Sequence, residues 1–226
     1  MRKLLLIMLV AALGCGGDGG DGGEATTGPV VRATRQPIVF VHGFGGSAAD
    51  WTDVVARFKA EGWSDRDLIA ETYPSDVSNV LIAARIGEVV DSVRAATGWD
   101  KVDFVTVSMG SLSSRYYLKN LGGVARVDAW VSVAGPNRGT LTASQCSDAP
   151  CHEMLPSSQF LEALNVGDET PGNVRYATWW SPCDETVVPA RSTVLTDAAN
   201  TMTECLAHSQ MLNEPIYQAI RAFIAP

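Results

Sequence analysis

The stretch from Val102 to Leu118 constrains this chain more than any other. Val102-Asp103-Phe104-Val105-Thr106-Val107 reads as an apolar strand. Ser108-Met109-Gly110 leaves room only for an abrupt turn, and Ser111-Leu112-Ser113-Ser114-Arg115-Tyr116-Tyr117-Leu118 reads as a helix. A strand that passes directly into a helix needs a sheet with helices packed on it. It also lifts the residue at its apex, Ser108, clear of the sheet edge. A serine held there is exposed for nucleophilic chemistry.

The rest of the chain repeats the alternation. Strands are expected at Ile38–His42, Leu68–Thr72, Val102–Val107, Val127–Ala134 and Val174–Trp180. Helices are expected at Trp51–Ala60, capped near Asp50 or Ala49, and from Ser78 onward. In the latter, Ile82, Ile86, Val89, Val90 and Val93 fall at helical spacing. Further helices are expected at Met109–Leu121, closed by Gly122-Gly123, at Gln159–Leu164 and at Glu214–Ile224. Alternating strands and helices imply an α/β fold, a mostly parallel central sheet with helices on both faces. Gly135–Ser158 lacks periodicity and reads as a loop-rich excursion.

The first residues belong to a different regime. Arg2 and Lys3 precede an apolar run, Leu4–Leu13, too short to span a bilayer as a mature helix. Gly14-Cys15 follows, then a run of glycine and aspartate. This resembles a bacterial lipoprotein signal in which Cys15 becomes the lipidated N-terminus. Ala12 stands where such signals usually carry Leu. The organisation expected is therefore a signal segment over 1–15, a flexible tether over 16–34 and one catalytic domain over 35–226. Localisation would be the outer membrane and periplasm, or the cell surface. Gly16 after the cysteine favours the outer membrane. A net charge of −8 argues against nucleic acid as a partner and against electrostatic binding to anionic lipid.

A serine hydroxyl needs a base, and the base needs an orienting acid. The chain has three histidines. His42 precedes Ser108 and reads as a structural hydrogen-bonding residue. His152 follows the Cys146–Cys151 segment, before any good acid at a strand end. His208, just before the last helix, remains as the base. Asp184 follows the Val174–Trp180 strand and fits the acid, with Glu185 beside it as an alternative. Upstream, Pro37–Gly46 is an apolar strand ending in a glycine-rich loop, able to supply a backbone N–H to an oxyanion.

Several segments together resemble the small secreted bacterial triacylglycerol lipases, the class 2 lipase family of α/β-hydrolases. They are Pro37–Gly46, Val102–Leu118, Ala134–Thr140, Leu164–Gly172, Ser181–Pro189 and Ala207-His208. The resemblance implies the α/β-hydrolase fold, Ser108 as nucleophile, Asp184 as acid and His208 as base. It also implies an oxyanion hole formed by the backbone N–H groups of Phe44 and Met109, with the Phe44 side chain as acyl-site wall. Such chemistry needs no cofactor. The family's turn usually reads Gly or Ala, His, Ser, Met, Gly, Gly. Here it reads Thr106, Val107, Ser108, Met109, Gly110, Ser111. Either the packing around Thr106 has adjusted or the turn is distorted.

Four cysteines remain after Cys15, and sequence permits three pairings. No metal-binding spacing appears among them. The pairing expected is Cys183 with Cys205 and Cys146 with Cys151, because the first bond would tie the acid loop to the base loop. The function expected is hydrolysis of carboxylic esters, acylglycerols or other lipid esters. A polyester or cutin-like depolymerase on the same scaffold is the alternative enzyme. A non-catalytic lipid-binding lipoprotein is the alternative outside enzymes, and the altered turn is its motive. Sequence leaves the oligomeric state open.

Overall fold

A computed structural model describes residues 35–224. The expected signal segment, Cys15 and the tether lie outside the described residues. Six strands form one sheet: β1 (Ile38–Val41), β2 (Leu68–Ala70), β3 (Val102–Val107), β4 (Val127–Val133), β5 (Arg175–Trp180) and β6 (Ala199–Met202). Their order across the sheet is β2-β1-β3-β4-β5-β6, and every neighbouring pair is parallel. Parallel neighbours require crossovers. Up to β5 these carry α1 (Thr52–Ala60), α2 (Asn79–Thr97), α3 (Gly110–Asn120), α4 (Ala149–Met154) and α5 (Gln159–Asn165). β5 reaches β6 through a loop with a 3-10 turn over Ala190–Thr193, and α6 (Glu214–Ile224) follows the last strand.

The two faces of the sheet build two cores. One gathers Val102, Phe104 and Trp130 under α2, α3, α4 and α5. The other gathers Val105, Val131, Val133 and Trp179 under α1 and α6. Strand β1 is buried along its whole length because both faces are covered. Five tryptophans, Trp51, Trp63, Trp130, Trp179 and Trp180, are buried. Tyr117 packs edge-on against Phe104, and Tyr116 stacks on Phe160, so both serve helix packing. Asp103 sits inside the sheet, accepting from Gln36 and from the Ala129 amide, and burial pushes its carboxyl up to about 7.

Helix ends follow side-chain chemistry. Ser78 Oγ accepts from the Val80 amide at the start of α2. Before α1 the cap is Ser47, at the head of a short 3-10 turn over Ala48–Trp51, rather than Asp50 or Ala49. Gly98 closes α2 at a positive φ of 74°.

Two elements depart from expectation. β6 was not anticipated: its four residues are all exposed, so no apolar alternation marks it. It joins the sheet through backbone pairing to β5. The excursion after β4 is also more ordered than its sequence suggests. It contains a 3-10 turn over Leu141–Gln145 and the helix α4, which carries Pro150 in its first turn. Glu153 of α4 accepts from the Asn79 amide and side chain and from Ser78, so the excursion is clamped to the N-terminus of α2.

Candidate active site

Ser108 follows β3 at φ 53°, a left-handed conformation that side chains rarely adopt. Its amide donates to the Val133 carbonyl on β4. Two glycines make this turn possible. A Cβ on Gly43 would lie 2.9 Å from the Ser108 Cβ, and one on Gly110 would lie 2.5 Å from the Val41 and His42 carbonyl oxygens. The strand β1, its glycine-rich loop and the first turn of α3 therefore meet at backbone contact. Strain of this kind persists only where surrounding structure enforces it.

Thr106 is wholly buried two residues before the serine. Its hydroxyl donates to the Val131 carbonyl at 2.7 Å and shares a 2.9 Å hydrogen bond with Ser111 Oγ. Ser111 in turn accepts from Ser132, and Ser132 accepts from Asn137, which also donates to the Thr193 carbonyl. Two of the three positions that depart from the family turn, Thr106 and Ser111, are thus bonded to each other. The packing has adjusted, and Ser108 keeps its strained conformation. No periodicity in the sequence marks this chain of hydroxyls.

Asp184 and His208 come together across 24 residues. His208 Nδ1 lies 2.8 Å from Asp184 Oδ2, and the Asp184 side chain is 2% exposed. Asp184 Oδ1 accepts from the Thr186 and Val187 amides, so both carboxylate oxygens are engaged. The two loops are fastened at three further points. Cys183 is bonded to Cys205. Ser181 Oγ donates to the Leu206 carbonyl and accepts from the Leu206 and Cys183 amides. Glu185 accepts from the His208 amide at 3.0 Å. Glu185, the alternative acid, therefore holds the histidine's backbone while Asp184 holds its ring. Ser181 was not singled out in the sequence, where nothing separates it from any other loop serine. The remaining cysteines, Cys146 and Cys151, are bonded to each other.

Ser108, His208 and Phe44 line two depressions in common, of about 700 Å³ and about 370 Å³. Phe44 is 41% exposed, and Met109 is buried. Among the described residues, neither amide is taken up by a backbone hydrogen bond. None of the tryptophans lines either depression.

The other two histidines stand apart from this pair. His42 is buried, stacks on Tyr73 at 3.8 Å, bonds through Nδ1 to the Gly43 carbonyl and accepts the Tyr73 amide at Nε2. Burial lowers its pKa, so it is a neutral strut for the glycine-rich loop. His152 is exposed on α4. Arg115 of α3 is buried and donates to the Asn137 and Glu169 carbonyls and to Asn165, joining the segments 134–140 and 164–172 behind the turn. Burial pulls its pKa down to about 10. Among the described residues no group of three or more His, Cys, Asp or Glu side chains is placed to hold a metal ion.

A family model described as lipase (class 2) matches residues 35–221. Solved structures with the same fold include the mature Bacillus licheniformis lipase BlEst2, at TM-score 0.71 and 16% identity, over 86% of this chain and 92% of that one. Aspergillus fumigatus lipase B is similar at TM-score 0.71 and 17% identity, over 82% of this chain and 51% of that one. A metagenomic carboxyl esterase, MGS0156, is similar at TM-score 0.64 and 17% identity, over 78% and 66%. At such identities the likeness is one of fold, here the α/β-hydrolase fold.

Proposed function

The chain belongs to the class 2 lipase family of carboxylic ester hydrolases, and from that premise we propose that it cleaves acylglycerols or other lipid esters through an acyl-enzyme on Ser108. The observation that carries the reading is the Asp184–His208 hydrogen bond opening onto the same depressions as a serine at positive φ.

In this mechanism Ser108 Oγ attacks the ester carbonyl carbon while His208 Nε2 takes its proton. Asp184 keeps the other ring proton on Nδ1 and stabilises the imidazolium. Charge developing on the carbonyl oxygen is met by the Phe44 and Met109 amides, which need no reorganisation to donate. Collapse of the tetrahedral intermediate expels the alcohol, which leaves with the proton from His208. Water, activated by the same histidine, then attacks the acyl-enzyme and releases the acid. No step calls for a cofactor. The mutual bonding of Thr106 and Ser111 supports a working turn and weakens the non-catalytic alternative.

Two disulfides in a chain of this family support an exported protein. We infer that Cys15 carries lipid and tethers the domain to a membrane, where its ester substrates reside. Mass spectrometry of the mature N-terminus tests this: a diacylated Cys15 is expected, and an unmodified terminus elsewhere would refute it.

Ser108→Ala tests the central step. The variant should fold normally and lose about 10⁴-fold or more in ester turnover. Retention of more than a tenth of wild-type turnover would contradict the assignment.

A further inference from the structure

The sheet register ties the Ser108 depression to a second one that does not touch the serine. Val107, which lines the first, pairs with Val133, then Trp179, then Thr201 across β4, β5 and β6. Trp179 and Thr201 line a separate depression of about 320 Å³, together with Pro215, Ile216 and Ala219. Leu206 and Asn213 line both. Val107, Val133, Trp179, Leu206, Ile216 and Ala219 all pack on the α1/α6 face of the sheet. The two hollows therefore lie over one apolar face with Leu206 between them.

Neighbouring parallel strands stand about 4.8 Å apart, so Trp179 lies about 10 Å from Val107. Carbon–carbon bonds of about 1.5 Å carry an extended chain about 1.3 Å per carbon, so ~8 carbons cover that distance. The other depression at Ser108 is differently built. Its lining is mixed, with Thr140, Thr142, Thr186 and Glu185 beside Met154 and Val187, and it shares no lining residue with the Trp179 hollow.

We propose that the Trp179 hollow is the distal acyl subsite, and that the acyl chain runs from Ser108 across Leu206 onto the Trp179 indole. The occupant is a saturated or unsaturated fatty acyl chain of about ten carbons or more. Chains shorter than about eight carbons end before the Trp179 indole and gain nothing from it. Each methylene buried beyond that point raises kcat/KM by up to about fourfold. The proposal rests on ester hydrolysis at Ser108, and it names the substrate class that site prefers.

The test is a chain-length series of p-nitrophenyl esters, butyrate to dodecanoate, below their micellar concentrations. Wild type, Ala219→Trp, Thr201→Trp and Gln145→Trp are compared through the dodecanoate-to-butyrate ratio of kcat/KM. Ala219→Trp fills the hollow from α6. Thr201→Trp fills it from the exposed edge strand, where folding tolerates the change. Gln145→Trp fills the threonine-lined depression instead. The ratio should exceed ten in wild type, fall at least tenfold in both hollow-filling variants, and hold in Gln145→Trp. A ratio near one in wild type, or a ratio lowered by Gln145→Trp and untouched by Thr201→Trp, would overturn the proposal while leaving ester hydrolysis at Ser108 intact. No hydrolysis of any ester, butyrate included, would overturn both.

Discussion

Ser108 rises from the interior of the sheet, whereas Asp184 and His208 stand on loops beyond its edge. The serine is fixed from below. Its flanking strand is the third of six, its amide is bonded to β4, and Thr106 and Ser111 clasp strand to helix beneath it. Asp184 and His208 have no such floor. They are held by a disulfide, by Ser181 bridging to Leu206, and by Glu185 on the His208 amide. Packing can hold a strained residue where the core is dense. Loops need specific bonds instead, because little apolar burial resists their movement. Ser108 should therefore respond to core substitutions, and the Asp184–His208 pair to reduction and loop substitutions.

The comparison can be broken first at the acid. Asp184→Asn should lower kcat about 10⁴-fold, since the wrong tautomer of His208 then faces Ser108. Glu185→Gln should cost less than tenfold, because it keeps an acceptor for the His208 amide. Steady-state kinetics of the two variants decides between them. A larger loss from Glu185→Gln than from Asp184→Asn would reverse the roles assigned above.

A smaller effect is expected from the tie between the loops. Replacing Cys183 and Cys205 by serine should cost up to ~100-fold in rate through a displacement of about 1 Å. It should also cost about 3 kcal/mol of stability in the chain-entropy view. Mild reductant should lower activity before circular dichroism reports unfolding. Simultaneous loss of both signals would mean that the disulfide serves the whole domain and not the pair.

The clasp under the serine sharpens the other half. Thr106→Val keeps the volume but removes the hydroxyl's bonds to the Val131 carbonyl and to Ser111, at a cost of about 1–3 kcal/mol. Turnover should change less than tenfold, and Thr106→Ser should restore stability. Urea denaturation with parallel kinetics checks this. If Thr106→Val were as stable as wild type, the hydroxyl chain would be incidental.

The smallest effect belongs to the second disulfide. Serine at Cys146 and Cys151 removes a closure of only five residues in separation, worth about 2 kcal/mol. Glu153 still clamps the excursion to α2, so turnover should stay within twofold. A fall comparable to that of the Cys183–Cys205 variant would erase the distinction between the two bridges.

The same contrast explains what could be read from the sequence. β3 and α6 have the bounds expected from their apolar patterns, because each buries a continuous face. β6 could not be read, since Ala199–Met202 buries nothing and is specified by backbone pairing alone. The helix α4 was hidden in six residues, too few to show a period. At the candidate site, the chain order of serine, aspartate and histidine singled out three residues that the fold places at one surface. What stayed illegible was how they are held. Ser181, the Glu185–amide bond and the Thr106–Ser111 clasp are pairings between distant segments, and a side chain's partner across a fold leaves no local trace.

The most direct test of the central claim is covalent. The purified protein should react with a fluorophosphonate ester to one equivalent, losing esterase activity in step, and the modified peptide should be the one bearing Ser108. The Ser108→Ala variant should take up none. Modification at another serine, or activity that survives full labelling of Ser108, would contradict the account.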